Sequence, residues 1–360
     1  MTTIYSALNI NDTDRVFLST LGQRVVYDAV QAVLSEHNAA MQAAIGLFVQ
    51  GTTSDYKIRY KLPGNGKMQD MGVHPMGVPA AVKAYGQWDV AFPLYSFQDA
   101  IGNDRISMAY MTVQDLARQL NTVMIRHANT TRFQILKALL NNTQRTYVDE
   151  LWGNLLIEPL ANGDSVLYPP VLGSDAEATE THMLESGYAV ASISATNDPM
   201  ATIVAELEEH FGTPTGGSNI LTLIDPTATS YVKAMTGFVP VEDKFVQSAI
   251  TVTTLLGLPS VPGRLIGRTA SGSWVSEWRW MPATYMLGIH LDAEKPLMKR
   301  VDPADTGLPT GLTLIARDEN FPLESAYYED RFGFGVANRL NGVAMEVANG
   351  GSYTIPSGMS

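Results

Sequence analysis

Cysteine is absent from the 360 residues. Disulfides, thiolate metal sites and cysteine nucleophiles are therefore excluded, and stability has to come from packing and assembly. Charge is also scarce: Asp, Glu, Lys and Arg make up 17% of the chain, where a soluble domain carries about 25%. A surface so short of charge is one that neighbouring molecules are expected to cover. No stretch approaches the ~18 uninterrupted apolar residues of a membrane span, and Met1–Asn11 lacks the basic-then-apolar pattern of an export signal. Synthesis and retention in the cytoplasm are expected. Basic side chains number 24 against 36 acidic ones, a formal charge of −12, which repels a phosphate backbone and argues against a dedicated reader of nucleic acid. A container for nucleic acid neutralised by small cations is compatible with that balance.

The motifs of catalysis are missing as well. Gly-x-Ser-x-Gly does not occur. Gly66-Lys67 has Lys61 where a phosphate loop needs its upstream glycine, and Met68 where it needs Ser or Thr. Gly333-Phe334-Gly335 starts like a dinucleotide fingerprint, but Asn338 stands at the third glycine and no βαβ unit follows, so turns and close packing explain these glycines. His37, His74, His127, His182, His210 and His290 are scattered, without the paired spacing that sets two metal ligands on one helix face or hairpin, so ordinary packing or surface roles are expected. Glu208 and Glu209 beside His210 read as the solvated side of a helix. Trp274, Trp278 and Trp280 fall on one face of an expected strand. A base-stacking platform would need a basic groove, and only Arg268 and Arg279 are near, so core or subunit contact is the better reading. The sequons at Asn11, Asn129 and Asn141 carry no weight without an export signal. No catalytic, cofactor-binding or metal residues are assigned.

At this length the chain exceeds the roughly 250–300 residues at which one core stops growing, and two lobes are expected. Apolar residues at helical spacing from Val26 to Ile45 predict an amphipathic helix over about Ser19–Leu47. Alternation at Ile58, Tyr60 and Leu62, resuming at Val82, Ala84, Trp88, Val90 and Phe92, predicts a long hairpin with its tip at Gly64–Pro79. Two strands alone cannot bury both faces, so this hairpin is expected to lie on another subunit. Thr112 with Asp115 opens a periodic segment through Leu140, a spine helix about 45 Å long at ~1.5 Å per residue. Leu155, Ile157 and Leu160 lead to a second hairpin turn at Ala161–Asp164, followed by Val166 and Tyr168. Asp198-Pro199 and Asp225-Pro226 each start a helix, the first ending at Gly212 and the second near Gly237, around the apolar run Ile220–Ile224. Strands are expected at Val252–Leu256, Arg264–Arg268, Trp274–Trp280 and Tyr285–His290, and again from Leu312 to Val347. A glycine-bearing tail (Gly350, Gly351, Gly358) is usually disordered unless something ties it down, and neighbouring subunits are the natural candidate.

The order of arm, helix, long hairpin, spine helix, α/β lobe and returning strand resembles the Hong Kong 97-type fold of tailed-bacteriophage major capsid proteins. The resemblance is most specific at Phe321-Pro322-Leu323-Glu324, Arg331-Phe332-Gly333-Phe334-Gly335-Val336 and Leu340-Asn341-Gly342-Val343-Ala344-Met345, and in element order it covers nearly the whole chain. It implies an α+β chain divided into an N-terminal arm (1–19), a peripheral-domain helix (20–50), an extended loop (51–110), a peripheral domain (111–185) with its spine helix at 111–142 and a candidate insertion at 151–185, an axial domain (186–314) and C-terminal strands of the peripheral domain with the tail (315–360). It further implies self-assembly into pentamers and hexamers around double-stranded DNA, in a virion assembled in the bacterial cytoplasm. Scaffolding, portal and cement or decoration proteins are the implied partners. No cofactor is implied, and no scaffolding segment precedes the arm, so a separate scaffolding protein is expected. Some relatives join lysine to asparagine; Lys57, Lys61, Lys67, Lys83, Asn338 and Asn341 match no such site, and no cross-link is expected. An encapsulin-type nanocompartment has the same fold and is the alternative. A two-lobed cytoplasmic ligand-binding protein or enzyme, with its site between the lobes, is the alternative from another class.

Overall fold

The computed structural model describes residues 3–11, 16–62, 87–102, 110–174, 176–212, 219–241, 262–316 and 325–360. The tip of the long hairpin with Val82 and Ala84, the strand expected at Val252–Leu256, and Phe321–Glu324 lie outside the described residues. In chain order the elements are α1 (Ile4–Leu8), α2 (Leu18–Leu21), α3 (Gln23–Ile45), β1 (Val49–Thr53), β2 (Lys57–Lys61), β3 (Gln87–Ala91), β4 (Tyr95–Gly102), α4 (Val113–Leu140), β5 (Arg145–Asp149), β6 (Gly153–Ile157), β7 (Met183–Glu185), α5 (Pro199–Phe211), β8 (Ile220–Ile224), α6 (Thr229–Lys233), β9 (Val239–Pro240), β10 (Arg264–Arg268), β11 (Trp274–Glu277), β12 (Tyr285–His290), β13 (Leu297–Arg300), β14 (Thr313–Ala316), β15 (Ser325–Val336) and β16 (Val343–Glu346).

Local chemistry accounts for most boundaries. Thr112 and Asp115 form a reciprocal capping box at the start of α4, satisfying backbone donors that the first turn leaves unpaired. Asp198 caps α5, with Pro199 at its first position. The first long helix is interrupted at Gly22, whose φ of 81° is left-handed and ends α2 before α3 begins. The helix expected from Asp225 to Gly237 shrinks to one 3-10 turn and the five residues of α6. The second hairpin turns at Glu150–Trp152 instead of Ala161–Asp164. Asp149 Oδ1 accepts the N–H groups of Leu151 and Trp152 at 3.0 and 3.1 Å, and Gly153 supplies the positive φ that closes the turn.

One sheet runs β1-β13-β15-β14, with β4 also on β15; the other runs β7-β16-β12-β8-β11-β10-β9. These sheets cut across the boundaries drawn from sequence. Strand β13, inside 186–314, joins the first sheet through β1 and β15, and β16, inside 315–360, pairs with β12 in the second. A shared core lies between them: Ile135, Leu136, Leu139 and Leu140 of α4 pack with Leu297, Phe332, Phe334 and Val336, and with Leu221, Leu223, Leu287 and Ile289. On the opposite face of the second sheet, Met200, Ile203 and Leu207 of α5 meet Ile224, Met286, Val343 and Met345.

The strands β2 and β3 pair as an antiparallel hairpin, as the alternation predicts, with Ile58 opposite Val90 and Tyr60 opposite Trp88. Their base does not stand apart from the chain, however. Trp88, Val90 and Phe92 are buried with Tyr168 and Leu340, and Trp88 Nε1 donates to the Ala337 carbonyl at 3.0 Å. The tail is likewise held by its own chain. Tyr353 Oη donates to Leu140 O at 2.7 Å, Asn141 Nδ2 to Met359 O at 2.8 Å, and Glu185 accepts the N–H groups of Gly350 and Gly351. Backbone donors near the tail's glycines find carboxylates within reach, so no second subunit is required to order it.

Gly333 and Gly335 are needed for close approach. A Cβ on Gly333 would lie 2.1 Å from Pro93 O, and one on Gly335 would lie 2.5 Å from Phe92 Cδ1 and 2.9 Å from Ala91 O. Gly335→Ala should therefore destabilise the chain by about 2 kcal/mol or more, the scale of an overpacked core. Gly51→Ala, where nothing lies within 4 Å, serves as the control. Urea unfolding checks this: equal midpoints for the two variants would refute the close-packing role.

Candidate functional site

Two features stand out: an apolar tip presented to solvent, and ionisable groups gathered in the interior. The tip is the β5–β6 hairpin. Tyr147, Leu155 and Ile157 face inward with Tyr56 and Ala91. The alternate residues face out, leaving Val148 70%, Leu151 84%, Trp152 54% and Leu156 50% exposed. Apolar surface concentrated in this way on one short hairpin makes it a candidate interaction site. The tip is also pinned by contacts to the rest of the chain. Asp149 holds its turn and receives Arg300 NH1 at 2.8 Å on its other oxygen, and Trp152 stacks on Tyr56 with ring centroids 4.2 Å apart. Burial would raise the Asp149 carboxyl, but the N–H groups of Leu151 and Trp152 and the Arg300 guanidinium outweigh it and hold the group below the usual carboxylate range.

Four of the histidines are gathered in two groups, while His74 lies outside the described residues. His37 of α3, His127 of α4 and Asp330 of β15 form a chain, with His37 Nε2 3.0 Å from His127 Nδ1 and His127 Nε2 2.8 Å from Asp330 Oδ2. Since the carboxylate accepts, His127 donates to Asp330 through Nε2, while its Nδ1 shares one proton with His37 Nε2. A second group joins His182, in the strand approach to β7, with Glu209 and His210 at the end of α5; one donor atom from each lies within 4.8 Å of the others. Helical spacing carried a signal that pair spacing did not. His37 follows Val33 by four and Leu34 by three, His127 follows Val123 by four, and His210 follows Leu207 by three, so each sits on its helix's buried face. His210 is buried, contrary to the solvated reading of that helix end, and Glu209 is half-buried.

Burial, then the neighbouring His127, pulls His37 down to about 4 against the attraction of Asp330. Burial takes His210 to about 4. Burial and His210 take His182 to about 3, opposed by the Gly342 and Leu340 carbonyls. Glu209 moves the other way, up to about 7, through burial and then Glu206 and Glu180.

The remaining candidates resolve differently. Strand β11 stops at Glu277, so Trp274, Trp278 and Trp280 do not share a strand face. Trp278 is buried in the shared core, with Trp274 packed against it, while Trp280 is exposed beside Arg132. Asn338 and Asn341 are buried and their amides donate to main-chain carbonyls, while Lys57 pairs with Asp89. A groove of about 500 Å³ lined by Ile4, Val33, His37, Leu120 and Met124 lies among α1, α3 and α4, not between the two sheets.

The lowered histidines fix a pH dependence. A histidine kept neutral in the native state and free to protonate when unfolded contributes stability in full above its ordinary pKa of about 6.5, and that contribution is lost as pH falls toward the folded value. His37→Gln should therefore lower Tm at pH 7 yet shorten the fall in Tm between pH 6.5 and pH 4. Calorimetry showing parallel Tm curves for variant and wild type would refute the assignment.

No family model matches the chain, and no curated protein matches it. Solved structures do. One from Mycobacterium phage Patience superposes with a TM-score of 0.65 at 19% identity, covering 96% of this chain and 95% of that one. Weaker likenesses include the asymmetric unit of the bacteriophage PhiM1 mature capsid, with TM-score 0.46, 11% identity and coverage of 83% and 86%. Another is the holo-SrpI encapsulin complex from Synechococcus elongatus PCC 7942, with TM-score 0.42, 12% identity and coverage of 98% of each chain. The likeness to the Patience structure shows the fold, the α+β, Hong Kong 97-like arrangement expected from the element order.

Proposed function

We propose that this chain is a shell-building subunit, the major capsid protein of a tailed bacteriophage, which assembles into pentamers and hexamers around double-stranded DNA without reading its sequence. The observation that carries the reading is the fold shared with a bacteriophage protein over 96% of this chain and 95% of the other. The physical features agree with it. The net charge of −12 keeps a wall from adhering to enclosed phosphate, and the exposed residues of the β5–β6 tip give copies an apolar surface to share. The reading makes the chain a structural protein and not an enzyme, assembled in the host cytoplasm with scaffolding and portal proteins and sited in the virion, with cement or decoration proteins as further partners.

Purified and examined alone by negative-stain microscopy, the chain is expected to form closed shells, sheets or capsomer rings. Shells holding DNA support the phage reading and uniform small shells holding protein the encapsulin alternative, whereas a monodisperse monomer under all conditions would overturn both.

The apolar tip gives a second expectation. Replacing Val148, Leu151 and Leu156 together by serine should leave circular dichroism unchanged, because these side chains face solvent. The concentration needed for assembly should rise at least ~10-fold, which takes only about 1.4 kcal/mol per subunit. Light scattering measures it, and an unchanged threshold would remove the tip from the interface.

A further inference from the structure

His182 is wholly buried, and its Nδ1 lies 3.0 Å from the Gly342 carbonyl. A carbonyl only accepts, so Nδ1 carries the proton and Nε2 the lone pair. No hydrogen-bond partner reaches that Nε2. Buried polar atoms of this kind are rare and require an explanation. The His210 ring stands beside it, centroids 5.3 Å apart, and Glu209 Oε1 lies 3.4 Å from His210 Nε2. Metal-ligating histidines commonly donate their other ring nitrogen to a main-chain carbonyl or carboxylate, and His182 has that arrangement, with Nε2 left to face His210 and Glu209.

We propose that His182, Glu209 and His210 bind one divalent transition-metal ion per chain, of the zinc, cobalt or nickel class. Two imidazole nitrogens and one carboxylate oxygen suit these ions, whereas calcium and magnesium prefer oxygen alone. Three protein donors leave a tetrahedral position for water or for Glu206, one turn back on α5 and close enough to act on the Glu209 carboxyl. Placement says what the ion would do. His182 N donates to Ala161 O and its own carbonyl accepts from Ala344 N, while the Glu209 carbonyl accepts from Leu172 N at 2.8 Å. One ion there ties the loop leading into β7 to the end of α5, beside β16. The site is internal to one chain and does not depend on the shell-forming reading.

The test uses the full-length chain dialysed against EDTA and then titrated with Co²⁺ and with Zn²⁺. Calorimetry should show one saturable site per chain, Zn²⁺ should raise Tm by several degrees, and Co²⁺ should develop visible ligand-field bands. Glu209→Gln, altering a half-exposed side chain, should keep the fold by circular dichroism and weaken binding at least tenfold. His182→Gln combined with His210→Gln should abolish it. Glu208→Gln should bind as wild type does. Absence of saturable binding to the wild-type chain, or wild-type affinity in Glu209→Gln, would overturn the proposal; because Glu209→Gln decides alone, a double-histidine variant that fails to fold does not shelter it.

Discussion

The fold depends on burying the polar turn Ala337–Gly342. Asn338, Arg339 and Asn341 have no exposed surface, and a buried guanidinium is tolerated only where oxygens surround it. Arg339 finds them on one loop: Pro159 O at 2.7 Å, Leu160 O at 3.3 Å, Asn162 Oδ1 at 3.4 Å and Asp164 Oδ2 at 2.7 Å. Asn341 brackets the end of β12 by accepting from His290 N and donating to His290 O. The turn connects β15 in one sheet to β16 in the other, so these bonds fix how the sheets meet. They also decide the path of the loop through Ala161–Asp164, whose composition favours a hairpin turn. Without Asp164 the charge would be left without a carboxylate partner, and loop, hairpin base and sheet joint would loosen together.

A second buried ion pair extends this rigidity to the surface. Arg300, on β13, reaches both Phe92 O and Asp149 Oδ2 at 2.8 Å, joining the base of the long hairpin to the turn of the short one. Flexible apolar loops fold back onto their own protein. A turn locked at its carboxylate keeps Leu151 and Trp152 outward, and an interface made with a preorganised element loses less entropy on forming. On the shell-forming reading, modest contacts of this kind add up when repeated around a closed shell.

What was legible in the sequence follows the range of the interaction involved. The capping box at Thr112, the Asp198-Pro199 start, the alternation of β2 and β3 and the bounds of β8, β10 and β12 are local or strictly periodic, and the structure has them where they were expected. The β5–β6 turn was missed because Asn162-Gly163 has the better turn composition, while the deciding contacts, Arg300 to Asp149 and Arg339 to Asp164, span 151 and 175 residues. The tail was misjudged for the same reason: its partners Leu140, Asn141 and Glu185 are remote in sequence. For the histidines the information was present in the wrong test. Spacing between histidines says nothing about ligands brought together by different elements, but the phase of each against its own helix's apolar stripe places His37, His127 and His210 inside.

Scarcity of charge and burial of charge are two sides of one arrangement. Several of the chain's few ions, among them Arg300, Arg339, Lys299 and Asp330, lie inside, which leaves a still more sparsely charged exterior. Such an exterior resists association weakly, because residual repulsion between copies of net charge −12 is screened within about 8–10 Å at ordinary ionic strength. Apolar contact then decides whether copies meet, and its strength is nearly indifferent to the partner's sequence. Specificity has to come from shape, and shape is what the internal ion pairs hold constant. On the shell-forming reading, the interior polar network therefore serves the interface: it makes every copy present the same tip at the same angle, which closure of a symmetric assembly demands.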